Sequence, residues 1–444
     1  MNGKMKISVV GTGYVGLCTA VCFAEKGYRA IASSHDEEKV SMINEGIPPF
    51  YEPQLEEILG RTVRNGSLRA VHDREKAVLD SDVTFITVGT PSRADGSIDL
   101  SFIEQSAIEI GRALKKKQGY HLVVTKSTII PGTTQNLVRS AVEKYSGRKA
   151  GKEFGLCMSP EFLREGTAIY DTLHPDRVVV GEFDKRSGDL LENLFAEFYD
   201  HKVPILRMNL VSAEMVKYAN NCMLATKISF INEIANVCEK IEGVDITNIV
   251  KGIALDHRIG PQFLSAGAGW GGSCFPKDVK ALIAFSKEFG YKPQILDAVV
   301  KVNKGQADHM VELAKGKLGM LRGKNVAVLG LSFKPDTDDM REAPSIKIIN
   351  RLLAEEAKVS AYDPKAMEIA KTIIEGRIKY ASSIEECVEK ADCCLLVTEW
   401  AEFKGLTPEF FRSRMKRPIL IDGRRIYDAK TYSEKLDFAA IGLG

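Results

Sequence analysis

The sequence predicts an α/β protein, with two doubly wound parallel sheets joined by a long central helix and a helical dimerisation segment. Three observations carry that expectation. Apolar runs of strand length alternate with helical segments through residues 1–200. From Leu210, the stretch LVSAEMVKYANNCMLATKISFINEIANVCEKIEG holds no Pro or Gly until its last residue. The alternation then restarts at KNVAVLGLS, residues 324–332.

Residues 6–10 (KISVV) predict a buried first strand, and the glycine-rich turn after it opens a helix that runs to about Lys26. Residues 28–32 predict the second strand, and apolar runs at 82–91, 121–128, 153–162 and 177–181 predict more. The stretch from Leu210 predicts one helix of about 30 residues, long enough to need two covering surfaces. In the last part, strands are expected at 324–332, 358–362, 393–398 and 418–422. The implied division is 1–200, 201–318 and 319–444, the first and last parts Rossmann-like.

Bulk properties exclude several classes. The 444 residues are 44% hydrophobic and 27% charged with a formal net charge of +2, which argues against nucleic acid or a membrane surface as the main partner. The N-terminal MNGKMKISVVGTGYVG enters a strand pattern with no signal core, and no apolar run reaches the length of about 18 residues a bilayer span needs. Nine scattered cysteines without CxxC pairs predict no metal cage and no disulfide framework, and point to a reduced, cytoplasmic setting.

VVGTGYVG places Gly11, Gly13 and Gly16 in GxGxxG spacing between a strand and a helix. The first glycine permits the tight turn, the second admits a pyrophosphate to the backbone, and the third lets helix and strand pack closely. Free N–H groups at the helix start then face the anion. Dinucleotide folds of this kind place an acid at the end of the second strand, to read the adenosine ribose. Here the region reads YRAIASSHDEEKV, and Ser33 and Ser34 stand where the acid is expected. Ser33, Ser34 and His35 can donate to a 2′-phosphate, which predicts NADP; Asp36 reading the ribose of NAD is the alternative. The last α/β segment lacks such a turn, because Gly330 is followed by Leu331, Ser332 and Phe333.

FLSAGAGWGGSCFPKD sets Cys274 behind four glycines and two residues before Pro276, which suits a first helical turn. A helix start stabilises a thiolate, and Asp278 lies one turn on. A buried inert cysteine is the plain alternative, but a glycine-dense loop followed by Lys277 and Asp278 is poor core material. Lys217 and Asn221 share a face of the long helix at i, i+4, a pairing able to stabilise an alkoxide. SPEFLREGTA puts Glu161 and Glu165 after one strand, and VTKSTIIPGT puts Thr128 at the end of another, on the edge where α/β sheets bind ligands. Lys334, Arg341, Arg424 and Arg425 offer cations to a phosphate-bearing substrate.

Taken together, GTGYVG, SPEFLREGTA, KYANN, GWGGSCFPKD, LSFKPDTDD, AYDP and DGRR, in order along essentially the whole chain, resemble the UDP-glucose/GDP-mannose dehydrogenase family, most of all its UDP-glucose-oxidising branch. The resemblance implies a two-step, four-electron oxidation of a nucleotide sugar's C6 alcohol to a carboxylate, in a homodimer. It implies Cys274 as nucleophile, Lys217, Asn221 and Asp278 around the reacting oxygen and water, and Thr128 and Glu161 assisting thioester hydrolysis. On the cofactor it implies Gly11, Gly13, Tyr14, Val15, Gly16, Lys39, Thr90, Pro91, Thr128, Glu165, Lys277 and Arg341, beside Ser33, Ser34 and His35. On the UDP-sugar it implies Glu161, Phe162, Leu163, Lys217, Asn221, Phe263, Leu264, Gly271, Phe275, Lys334 and Arg424, with Arg258 reaching a neighbouring subunit. The serine pair departs from the family's usual acid, which puts NADP beside NAD. Rival readings are the same oxidation on UDP-galactose, a UDP-N-acetylhexosamine or GDP-mannose, a single-step hydroxyacid dehydrogenase, and a silent nucleotide-sugar sensor. The last has no use for a thiolate.

Overall fold

The computed structural model describes residues 4–374 and 376–444. The chain divides into two compact units, one ending at Asn220 and the other spanning Asn221–Gly444. The expected middle segment is therefore shared between them. Residues 210–220 of the long helix, Leu210–Cys238, count with the first unit and the rest of that helix with the second.

The first unit is built on eight strands: β1 (Ile7–Val10), β2 (Ala30–Ser33), β3 (Leu68–Val71), β4 (Val83–Ile86), β5 (Leu122–Thr125), β6 (Gly155–Met158), β7 (Val178–Glu182) and β8 (Ile205–Asn209). Their order, β3-β2-β1-β4-β5-β6-β7-β8, reverses direction between β1 and β4, the crevice where such sheets bind ligands. The expectation of a wholly parallel sheet needs one correction: β6 and β7 run antiparallel, with Cys157 opposite Glu182. Strands β1, β2, β4, β5 and β6 are buried along their whole length, as helices on both faces demand, which is why they read as continuous apolar runs.

Gly16 explains the tight start of the Tyr14–Glu25 helix, since a Cβ there would collide with the Gly11 carbonyl oxygen. Gly11 has φ +107°, and a Cβ at Gly13 would meet nothing within 4 Å, so the helix N-terminus is open above that residue. Most cofactor and catalytic candidates of this unit lie at the C-terminal ends of β1, β2, β4, β5 and β6 or just after them, and Lys217 lies on the long helix.

The second unit holds a six-stranded, all-parallel sheet: β9 (Asn325–Leu329), β10 (Lys358–Tyr362), β11 (Lys379–Tyr380), β12 (Cys393–Leu396), β13 (Ile419–Asp422) and β14 (Asp437–Ala440), in the order β11-β10-β9-β12-β13-β14. Before it come the helices Phe275–Glu288 and Gln294–Leu318. Among the described residues no helix is long and apolar enough to cross a membrane.

Candidate active site

In the first unit, two buried side chains form an ion pair. Lys217 Nζ lies 2.9 Å from Glu161 Oε1, with the two side chains 3% and 7% exposed. Glu161 follows β6, and its Oε2 accepts the Leu163 N–H at 2.7 Å, so the short loop folds around its own carboxylate. Burial pushes Glu161 up, but the Lys217 ammonium, the Leu163 N–H and Lys126 outweigh it, and the carboxyl rests below its ordinary value. Lys126, just past β5, is driven the other way: burial and the Lys217 charge, against the pull of Glu161, bring its ammonium down to about 8. Phe162 lies under two cations, 3.8 Å from the Arg177 guanidinium and 5.6 Å from Lys217 Nζ.

Two carboxylates that the sequence reading missed hold the loops of this site. Glu214, wholly buried on the long helix, accepts from the N–H of Gly132 and, at 2.7 Å, that of Thr134. It thereby anchors the loop that follows Thr128, whose carbonyl accepts the Thr90 hydroxyl at 2.7 Å. Glu52 accepts the N–H groups of Gly166 and Ala168 at 2.8 and 2.7 Å, fixing the loop that carries Glu165. Neither has a motif around it, because a buried carboxylate gripping a distant loop has no local spacing to betray it.

At the cofactor edge, Tyr14 stacks on Phe50 with centroids 4.1 Å apart and donates its hydroxyl to the Tyr51 carbonyl. Val15, next to it, offers its carbonyl to the Thr19 hydroxyl, and Pro91 is exposed in the loop after β4. Ser33 ends β2 and is wholly buried, its hydroxyl donating to the Val9 carbonyl at 3.3 Å, so it is turned away from any ribose. Ser34 comes next and accepts the Asp36 N–H. Asp36 caps the Glu37–Asn44 helix by accepting from the Lys39 N–H. His35 lies 3.4 Å from Glu109, which also binds Arg74 at 2.8 Å. The open backbone at Gly13, at the start of a twelve-residue helix, fits a dinucleotide pyrophosphate.

In the second unit, Cys274 is the N-cap residue of the Phe275–Glu288 helix, with Pro276 in the first turn. It is the one cysteine of nine that is not buried. Its Sγ lies 3.4 Å from Ser273 Oγ. Asp278 is 1% exposed and held from two sides: Asn221 Nδ2 donates to Oδ2 at 2.6 Å and Lys277 Nζ to Oδ1 at 2.6 Å. Lys277, expected at the cofactor, is thus engaged with the catalytic candidate Asp278. Phe275 lies 6.2 Å from both Phe263 and Trp270. Phe263 is held at φ +63°, a strained setting for an aromatic residue, next to the buried Leu264.

The cations of this unit separate into groups. Arg424 donates to the carbonyls of Val397 and Gly269. Arg341 makes a bidentate pair with Asp339, and half-buried Lys334 lies 5.6 Å over Phe333. Arg258 is 78% exposed and pairs with Asp256. Arg425 is 6% exposed and pairs with Asp245 at 2.6 Å. Gly271 approaches the Glu342 carbonyl so closely that a Cβ would collide with it. Asp363, another carboxylate the reading missed, gathers the N–H groups of Leu331, Ser332, Lys365 and Ala366 and the Trp400 indole, and so shapes the loop leading to Lys334.

Family models match the chain in three consecutive blocks: the NAD binding domain of the UDP-glucose/GDP-mannose dehydrogenase family at residues 5–199, its central domain at 211–305 and its UDP binding domain at 327–429. The chain belongs to the UDP-glucose/GDP-mannose dehydrogenase family. It is 44% identical to the UDP-glucose 6-dehydrogenase AglM of Haloferax volcanii over 98% of this chain and 100% of that protein. Among solved structures it resembles a UDP-glucose dehydrogenase from the archaeon Pyrobaculum islandicum, with TM-score 0.92 and 38% identity over 100% of this chain and 98% of the other. It also resembles a UDP-D-ManNAc dehydrogenase from Pyrococcus horikoshii, with TM-score 0.86 and 28% identity over 99% of each chain. The glycine turn at Gly11–Gly16 falls in the NAD-binding block, and Cys274 in the central block.

Proposed function

We propose that the protein is a UDP-glucose 6-dehydrogenase that carries its substrate through a covalent sulfur intermediate. The observation that carries this reading is a partly exposed cysteine at the N-cap position of a fourteen-residue helix, with a buried Asp278 one turn on. The fit of that cysteine to its family block and the identity with UDP-glucose dehydrogenases support it. Bound nicotinamide supplies the hydride acceptor, once for each of two oxidations. An aldehyde carbon must become tetrahedral before it can lose a hydride, and Cys274 thiolate adds to the C6 aldehyde to give a thiohemiacetal. Oxidation leaves a thioester. Water attacks it with Glu161 and Thr128 directing the proton, which releases the carboxylate and restores the thiol. Lys217 and Asn221 stabilise the oxygen anions on the way, and Asp278 holds Asn221 in place.

The deciding assay offers the purified protein UDP-glucose, UDP-galactose, UDP-N-acetylhexosamines and GDP-mannose with NAD and with NADP. Two reduced cofactors per UDP-glucuronate are expected, with UDP-glucose the best substrate. One per product would point to a single-step hydroxyacid dehydrogenase instead.

On the cofactor, the reading favours NADP, and it rests on Ser34, His35 and Lys39, since the Ser33 hydroxyl is taken up by the Val9 carbonyl. A carboxylate at position 34 would repel a 2′-phosphate and accept from a ribose hydroxyl. Ser34→Asp should therefore lower kcat/KM for NADP by roughly 10- to 100-fold, about 1.4–2.8 kcal/mol, and raise that for NAD. Wild-type preference for NAD in the same assay would end this sub-claim.

We also propose a homodimer in the cytoplasm. Met223, Phe230 and Val237 recur every seven residues on the long helix and are 60%, 52% and 53% exposed, an apolar stripe that a second copy would cover. Nine cysteines outside any disulfide among the described residues suit a reducing compartment. Phe230→Glu should convert the dimer to monomer in sedimentation velocity, and an unchanged sedimentation coefficient would move the interface elsewhere.

A further inference from the structure

The glycine turn ahead of Cys274 does not hold itself. Asn303, on the Gln294–Leu318 helix, grips the backbone of one residue from both sides: its Oδ1 accepts the Trp270 N–H at 2.8 Å, and its Nδ2 donates to the Trp270 carbonyl at 2.9 Å. The Trp270 indole N–H reaches the other way, to Ser229 Oγ on the long helix at 3.0 Å, and Ser229 in turn donates to the Val299 carbonyl at 3.0 Å. The ring, 8% exposed, stands edge-on to Phe275 at 6.2 Å, and Phe275 is the residue that follows Cys274. Gly269 has φ +105°, and a Cβ on it would lie 2.9 Å from Asn303 Oδ1, so the amide occupies the space that only glycine leaves.

We propose that Asn303, seconded by Ser229, is the positioning residue for the Cys274 thiol: Asn303 locks the Trp270 backbone and Ser229 its ring, so that the turn delivers the sulfur to the start of its helix. This deepens the covalent reading above and rests on it for the role of the thiol. The physical ground is that the two-ended amide ties both peptide planes flanking Trp270 to one side chain, so neither can turn without breaking a hydrogen bond. Two residues of the same turn, Gly267 and Gly272, are held by other groups, the Asn232 side chain and the Arg341 carbonyl, so loss of Asn303 should loosen the middle of the turn without releasing its ends.

The test uses the full chain with Asn303→Ala, Asn303→Asp and Ser229→Ala. The aspartate keeps an acceptor for the Trp270 N–H but sets a carboxylate oxygen against the Trp270 carbonyl. Two readouts are taken: kcat and KM for UDP-glucose, and the pH profile of Cys274 alkylation by iodoacetamide, followed by mass spectrometry without sugar or cofactor. Asn303→Ala and Asn303→Asp should each lower kcat by 10- to 100-fold, change KM less than threefold, and displace the alkylation profile. Ser229→Ala should move both readouts in the same direction by a smaller factor. A lower melting temperature with an unchanged alkylation profile would overturn the proposal and leave Asn303 as a fold residue. Should the Asn303 variants fail to fold, Ser229→Ala decides by the same two outcomes. The alkylation readout involves no substrate, so a wrong substrate assignment would show in the sugar panel and leave this test intact.

Discussion

Cys274→Ser should abolish net conversion of UDP-glucose to the acid, with turnover down by at least about a thousandfold. A serine hydroxyl at the same helix start holds its proton at neutral pH, so the tetrahedral adduct does not form at a useful rate, and no thioester follows. The loss should appear in kcat, because the side chain changes by one atom and substrate contacts persist. Fold stability should hardly change, since position 274 is partly open to solvent. The checks are steady-state kinetics and intact-protein mass spectrometry of acid-quenched wild type, which should carry a sugar nucleotide on Cys274 that the variant lacks. A variant with wild-type kcat would remove the covalent mechanism.

Lys217→Met is the second large effect, and it acts on both activity and stability. The ammonium is buried against Glu161 at 2.9 Å, so its removal leaves a carboxylate held by the Leu163 N–H in a desolvated site. Breaking one side of a buried pair costs about 3–5 kcal/mol, and losing a preorganised oxyanion donor costs about 100- to 1000-fold in kcat. The pH dependence gives the sign. In the wild type the Glu161 carboxyl lies below its ordinary value, so its contribution to stability is present above pH about 4.3 and fades as pH falls through the lower folded value. In the variant, burial is left to push that carboxyl up, and the protonated form becomes the tolerated one. The gap in melting temperature between the two proteins should therefore narrow on acidification from pH 7 towards pH 4. A gap independent of pH would mean that Glu161 does not carry the charge assigned to it.

The buried parallel strands were the most legible elements, because they have no solvent-facing positions and their residues are mostly apolar. Strand β10 falls on the expected residues 358–362, and the long helix, expected at about 30 residues, spans 29. The strands that went unread are the edges β3, β8, β11 and β14. Leu68–Val71 alternates buried and exposed side chains, Ile205–Asn209 carries Arg207, and Lys379–Tyr380 is only two residues long, so none shows a continuous apolar run. At the site, residues with local spacing were legible as candidates: the glycine turn, Cys274 with Asp278, Lys217 with Asn221. Glu52, Glu214, Asp363 and Asn303 were not, because each acts on backbone far away in sequence.

Glu214 has a consequence for how the molecule is made. The backbone it captures at Gly132 and Thr134 lies 82 and 80 residues earlier, so a ribosome must deliver most of the first half of the polypeptide before that segment can settle. A nascent fragment cut at residue 199 would contain the whole matched NAD binding block and still lack both strand β8 and this carboxylate. Maturation of the dinucleotide half thus waits for the first turns of the long helix to leave the ribosome.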